Sequence, residues 1–386
     1  MKYLLLLSIS FLFFSCNKQS FNDISENSNK YKVIGKAFDE NGNFTSDIFY
    51  YDNLSLEVDQ LSSIKVRTQN YSQISYNAFY ADINGITGRG HNFDTGRTHV
   101  YHENFNKESA KTNIEIAIEG YLHYSFHMNE KIYAFYQEDF VQGEIGTKFQ
   151  LLIFDINTQE KKSIQIGVFN KIRENYVRLV PINNQLYIYL SQNAIEENPQ
   201  NYLILFDLKK EEIIETRDNF KFDNYAVVAD DTGNCYLLGI KSVYKYEFNL
   251  KTMTDFGPIG NGFFQFNYYL DPSNPMSISD DKLYFGTVGG FPGSGATYPA
   301  ILDLNTGDFK VIDIFEDETQ FEDDEFPWNP HAQSFTVDYE NKVFLIGAHS
   351  SRIGMPYKSQ GIFTVDFDGN VLSKEKTPVV PFQIIN

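Results

Sequence analysis

The residues able to do chemistry gather in a few glycine- and proline-rich stretches. GITGRGHNFDTGRT, residues 85–98, carries Arg89, His91 and Arg97, with His99 next in the chain. Two guanidinium groups so close together can hold an anionic ligand through paired hydrogen bonds. The stretch lacks the Lys-Ser/Thr ending of a phosphate-cradling loop, which argues against a nucleotide. GAHSSRIGMPYK adds His349, Arg352 and Tyr357, ATYP adds Tyr298, and PWNPH adds His331 and the single tryptophan, Trp328. An aromatic ring beside a cation can stack on a planar ligand. Each group also has a plainer reading, as a solvated loop with local ion pairs.

Other constellations point away from metal or covalent chemistry. The acidic run FEDETQFEDDEF lacks the alternating ligand spacing and central glycine of a calcium loop and reads as a solvated face. His123 and His127 share one face of a strand but would lie about 13 Å apart along it. His99 and His102 would point to opposite faces, so no zinc set and no resident cofactor is expected. No Gly-x-Ser-x-Gly elbow occurs, although a catalytic group assembled in space leaves no such trace.

The elements that must position these residues are strands. A strand ending in an acidic or amide residue before a short polar turn recurs at Asp52, Glu103, Asp155, Asp207, Asn249, Asp303 and Asp366, with spacings of 51, 52, 52, 42, 54 and 63. A second marker, an Asn- or Asp-rich turn before an aromatic strand, precedes five of them: MNEKIYAFY, INNQLYIYL, DDTGNCYLL, SDDKLYFGT and DYENKVFLI. A period near 50 of strand-only sequence predicts an all-β chain, a β-propeller of four-stranded blades. Seven blades are expected, with six or eight open. TPVVPFQIIN at the C-terminus is expected to pair with YKVIGKAF near the N-terminus and close the ring. The turns after the anchors are short, whereas the connections between second and third strands are long in several units. The long connections share one face of a propeller, and binding is expected there.

The N-terminus reads MKYLLLLSISFLFFSC: one lysine, an apolar run too short to span a bilayer, a small residue and a cysteine. This resembles the bacterial lipobox, which implies a signal peptide over 1–15 and lipidation of Cys16. Residues 16–30 are polar and aperiodic and read as a tether, leaving 31–386 for the propeller. The formal charge is −19 for 386 residues, which disfavours nucleic acid and anionic membrane surfaces as partners, so membrane contact is expected through the lipid alone. The second cysteine, Cys235, reads as a buried apolar residue on a strand.

One tryptophan and one suitable Gly-Gly doublet, Gly289-Gly290, set the chain apart from the WD and kelch types. Its degenerate, Tyr-rich units resemble the YVTN and quinoprotein-like propellers of bacterial envelopes. The layout of lipobox, tether and blades with KTMTD-type turns also resembles siderophore-scavenging lipoprotein propellers. That resemblance implies an outer-membrane lipoprotein of a Gram-negative bacterium, binding a small molecule such as a ferric siderophore for a transporter. A metal-dependent lactonase or lyase, with a divalent ion, and an interaction scaffold of an envelope complex are the alternatives.

Overall fold

A computed structural model describes residues 30–38, 49–60, 79–82, 84–92, 97–105, 113–138, 146–169, 172–192, 201–218, 224–230, 232–239, 242–247, 252–258, 276–288, 297–312, 314, 331–351 and 358–386. It is a seven-bladed β-propeller, each blade four antiparallel strands. Blade 1 takes β1 (Lys32–Lys36), β2 (Phe49–Asp52) and β3 (Glu57–Gln60). Blade 2 takes β4 (Phe79–Ala81), β5 (Gly85–Asn92), β6 (Arg97–Asn104) and β7 (Asn113–Ile118). Blade 3 takes β8 (Tyr121–Met128), β9 (Lys131–Gln137), β10 (Thr147–Asp155) and β11 (Lys161–Phe169). Blade 4 takes β12 (Ile172–Ile182), β13 (Gln185–Gln192), β14 (Asn201–Asp207) and β15 (Glu212–Arg217). Blade 5 takes β16 (Asn224–Ala229), β17 (Asn234–Gly239), β18 (Ser242–Glu247) and β19 (Thr252–Pro258). Blade 6 takes β20 (Ser277–Ser279), β21 (Lys282–Val288), β22 (Thr297–Asp303) and β23 (Phe309–Val311). Blade 7 takes β24 (His331–Asp338), β25 (Val343–Ser351), β26 (Lys358–Asp366) and β27 (Val371–Lys376).

The last strand, β28 (Val380–Ile385), returns to blade 1 and pairs antiparallel with β1, as the apolar C-terminal run requires. Both neighbouring blades hold it: Ser334 Oγ donates to the Pro381 carbonyl at 2.8 Å, and Gln383 Nε2 donates to the Ala81 carbonyl at 3.1 Å. At Gly35 the two strands run so close that a Cβ would sit 2.1 Å from the Val380 oxygen.

The repeat markers have a physical cause. Asp52, Asp155, Asp207, Asp303 and Asp366 each end the third strand of a blade, and each Oδ1 accepts backbone N–H groups two to four residues on. Such capping fixes the short turn to the fourth strand. The second marker closes the first hairpin. Asn129-Glu130, Asn183-Asn184 and Asp280-Asp281 all have positive φ at both central residues, the backbone that a twisted two-residue turn demands.

A blade buries both faces, so its middle strands are nearly all apolar. In β13, Leu186, Ile188 and Leu190 pack against blade 3 while Tyr187 and Tyr189 pack against blade 5. Among the described residues every junction between neighbouring blades has one such cluster. Cys235 belongs to one of them, fully buried as expected. Outer strands such as β11, which begins with exposed Lys161 and Lys162, turn charged residues to solvent, which blunts their open edges.

Two expectations are corrected. Residues 85–92 form strand β5, not loop, so only 93–96 are left to connect it to β6. Thr252–Pro258, the KTMTD region, is the outer strand of blade 5 and not a turn. The FDENGN turn, residues 39–43, lies outside the described residues.

Gly35→Ala is expected to lower stability by about 3 kcal/mol, because backbone on both sides must move. Gly307→Ala should cost only about 1 kcal/mol, since its φ of 76° is strained for alanine but nothing lies within 4 Å of the added carbon. Denaturant midpoints of the two variants check this.

Candidate functional site

Strand direction places the long connections, between second and third strands, on one face and the capped turns on the other. Arg89, His91 and Arg97 lie at the long-connection end of blade 2, where β5 and β6 pair with His91 opposite Thr98 and Asn92 opposite Arg97. Arg97 is exposed. Arg89 is half-buried and reaches blade 3: its Nη1 donates to the Leu122 carbonyl at 3.3 Å, and its guanidinium lies 4.6 Å from the Tyr121 ring centroid.

The stack continues inward. Tyr121 meets His123 edge-on at 4.9 Å, and His123 lies over Phe149 at 5.5 Å with planes 27° apart. His123 Nε2 is 3.1 Å from Gln137 Oε1, and Gln150 Nε2 donates to Glu138 at 2.7 Å. Together these form a cation–aromatic–imidazole–aromatic ladder with amide and carboxylate groups beside it. Phe149 is fully buried and backs the ladder from the core, so a flat ligand can meet only the part-exposed rings of Tyr121 and His123, with an anionic group at the arginine. Tyr121, Gln137 and Gln150 escaped the sequence reading because nothing local distinguishes them from ordinary strand residues.

On blade 7, His331 and His349 fall opposite each other across β24 and β25, also at the long-connection end. The His349 ring lies 6.0 Å from Phe38. Tyr298, on β22, packs in part against the core between blades 6 and 7. Cys16, Trp328, Arg352 and Tyr357 lie outside the described residues. Among the described residues, no three His, Cys, Asp or Glu side chains group closely enough to hold a metal ion.

The other end of the same blade junction holds a buried polar chain. Thr87 Oγ1 lies 2.8 Å from Nδ1 of both His102 and His127, and His127 Nε2 lies 2.9 Å from Asp82 Oδ1. A hydroxyl donates one proton, so one imidazole accepts from Thr87 and the other donates to it. The order carboxylate–imidazole–hydroxyl is that of a nucleophilic relay. Here Thr87 is 0% exposed and already shared between two rings, so no substrate can reach it. The chain is an interblade clamp. Burial, reinforced by His127, pushes His102 down to about 3. Burial alone would raise the Asp82 carboxyl, but the hydrogen bond and charge of His127 and the N–H groups of Asn84 and Gly85 hold it below the usual range.

The capped-turn face also carries ion pairs between blades. Glu211 binds Lys131 at 2.8 Å and Lys162 at 2.7 Å, joining blades 3 and 4, and Lys310 binds Asp368 at 3.2 Å, joining blades 6 and 7.

No protein-family model matches the chain, and no curated protein matches it by sequence. Solved structures do match. A puromycin-hydrolysing peptidase of Mycobacterium tuberculosis aligns at a TM-score of 0.53 and 10% identity, over 91% of this chain and 52% of its own. An acylaminoacyl peptidase of Pyrococcus horikoshii aligns at 0.50 and 11%, over 89% and 50%. A candidate 6-phosphogluconolactonase of Bacteroides fragilis aligns at 0.46 and 12%, over 94% and 99%. The chain spans about half the length of the two peptidases, and at these identities the likeness is one of fold.

Thr87→Val should cost about 3 kcal/mol, because it strands two buried imidazole nitrogens. Folded His102 refuses a proton that the unfolded chain binds, so stability should fall as pH drops below about 6.5, by up to ~1.4 kcal/mol per unit. Glu375, raised by burial, opposes this trend, while the lowered Asp82 adds to it only at more acid pH. Urea midpoints between pH 7 and 5 should slope in the wild type and flatten in His102→Asn.

Proposed function

We propose that the protein is an outer-membrane-anchored lipoprotein whose propeller binds a small molecule on the long-connection face without turning it over. The observation that carries this reading is the asymmetry of the two ends. One end is occupied by self-capped turns and interblade ion pairs, with its one relay-like chain sealed in the core. The other presents a half-buried arginine, half-buried Tyr121 and His123 backed by the core residue Phe149, and exposed Arg97 on a rigid scaffold. Binding residues displayed by such a scaffold need little ordering when ligand arrives.

A ferric siderophore passed on to an outer-membrane transporter fits the chemistry. Its flat, electron-rich chelating groups suit the ladder, and its negative charge suits Arg89 and Arg97 in an otherwise acidic chain. Lipidation of Cys16 supplies the address.

The soluble chain, residues 20–386, should bind one class among ferric siderophores, oligosaccharides and divalent metals saturably, read by calorimetry and by fluorescence of the single tryptophan. Tyr121→Ala and Arg97→Ala should each weaken binding by roughly tenfold, the loss of one stacking or charge-assisted contact. The ligand should be recovered intact. Conversion of the ligand, or binding untouched by both substitutions, contradicts the proposal.

A further inference from the structure

We propose that the turn between β2 and β3 is a membrane-contacting tip, with Leu54 and Leu56 seated in the lipid surface to which Cys16 is anchored. The inference rests on the lipoprotein reading and adds an orientation to it.

The turns from third to fourth strand follow one rule in blades 3, 4, 6 and 7. The residue after the anchor is apolar and turned inward: Ile156, Leu208, Leu304 and Phe367. Polar residues follow at the tip: Asn157 and Thr158, Lys209 and Lys210, Asn305 and Thr306, or Asp368. Blade 1 inverts the rule. Asn53 is buried, while Leu54 is 58% and Leu56 55% exposed.

Half of the inversion is explained within the propeller. In blades 3, 4 and 6 the N–H after the anchor donates to the hairpin turn between the first two strands of its own blade: Ile156 to Glu130, Leu208 to Asn184 and Leu304 to Asp281. Blade 1 has no such turn, because its inner strand comes from the C-terminus. Tyr31, where the chain enters, stands there instead. Asn53 N donates to its carbonyl at 3.2 Å, and Tyr31 N donates to Asn53 Oδ1 at 2.9 Å.

The leucines have no such account. Leu56 adopts φ 57°, a backbone that favours glycine, and the matching positions are Gln159, Glu211, Gly307 and Gly369. A leucine held there and pointed outward gains nothing inside the blade.

What lies next to it is the entry point of the chain, with Cys16 only 15 residues before Tyr31. A lipid on Cys16 would tether the propeller through this end of blade 1, within the reach of the 15 residues that separate them. Apolar side chains then add to acyl anchoring, as two weak signals do in general. The net charge of −19 makes an apolar contact with zwitterionic lipid the chemistry that fits.

The test uses the full-length lipidated protein in phosphatidylcholine–phosphatidylethanolamine vesicles containing doxyl-labelled lipid. Cys235 is buried and Cys16 acylated, so a bimane probe can be placed at Ser55→Cys or, as control, at Thr306→Cys on blade 6. Quenching at position 55 should exceed that at 306 by about threefold or more, and Leu54→Gln/Leu56→Gln should abolish the difference. Equal quenching at both positions, with acylated Cys16 confirmed by mass spectrometry, overturns the inference and leaves the anchor standing. An unmodified Cys16 overturns both. A soluble 20–386 chain that dimerises through the two leucines assigns them to a second copy and also overturns it.

Discussion

Everything in the molecule depends on six residues pairing across almost the whole chain. Until β28 joins β1, blade 1 has no inner strand, and its junctions with blades 2 and 7 both lack a wall. Ile385 packs in the cluster between blades 1 and 2, and Ile384 in the cluster between blades 7 and 1. One strand therefore completes two junctions by the alternation of its side chains. Pairing of so long a sequence separation is entropically late, and each junction formed beforehand makes it easier. The fixed faces on which the proposed binding depends exist only once the ring is shut.

Much of this was legible in the chain because turn chemistry is local. An aspartate that caps its own turn must stand at the end of its strand, so Asp155, Asp207, Asp303 and Asp366 keep a period that survives divergence of everything between them. Closure was legible too, since TPVVPFQIIN is an apolar strand with no partner nearby. What misled was glycine. Residues 85–92 read as a loop because glycine is poor in strands, yet Gly85 is there for a close approach: a Cβ would lie 2.5 Å from the Glu103 oxygen.

The candidate site was less legible for a different reason. Arg89 and His349 stood out by residue type, but Tyr121 gains its place from Arg89 across a blade junction, and His123 from Gln137 and Phe149 on the next two strands of its own blade. The clamp of Asp82, Thr87, His102 and His127 is likewise assembled from two blades, with partners up to 45 residues apart. A repeat reveals its own period but not which side chains of one unit meet those of the next. The two ends of the junction between blades 2 and 3 then divide the work. The clamp fixes the blades to each other, and the proposed binding ladder rests on the geometry so fixed.

The most direct test of the account is amide hydrogen exchange, followed strand by strand in the soluble chain. Residues 380–385 should exchange as slowly as the middle strands of the blades, and β1 and β28 should lose protection together as denaturant is raised. Rapid exchange across 380–385, with the other blades still protected, would show an open ring and contradict the account at its base.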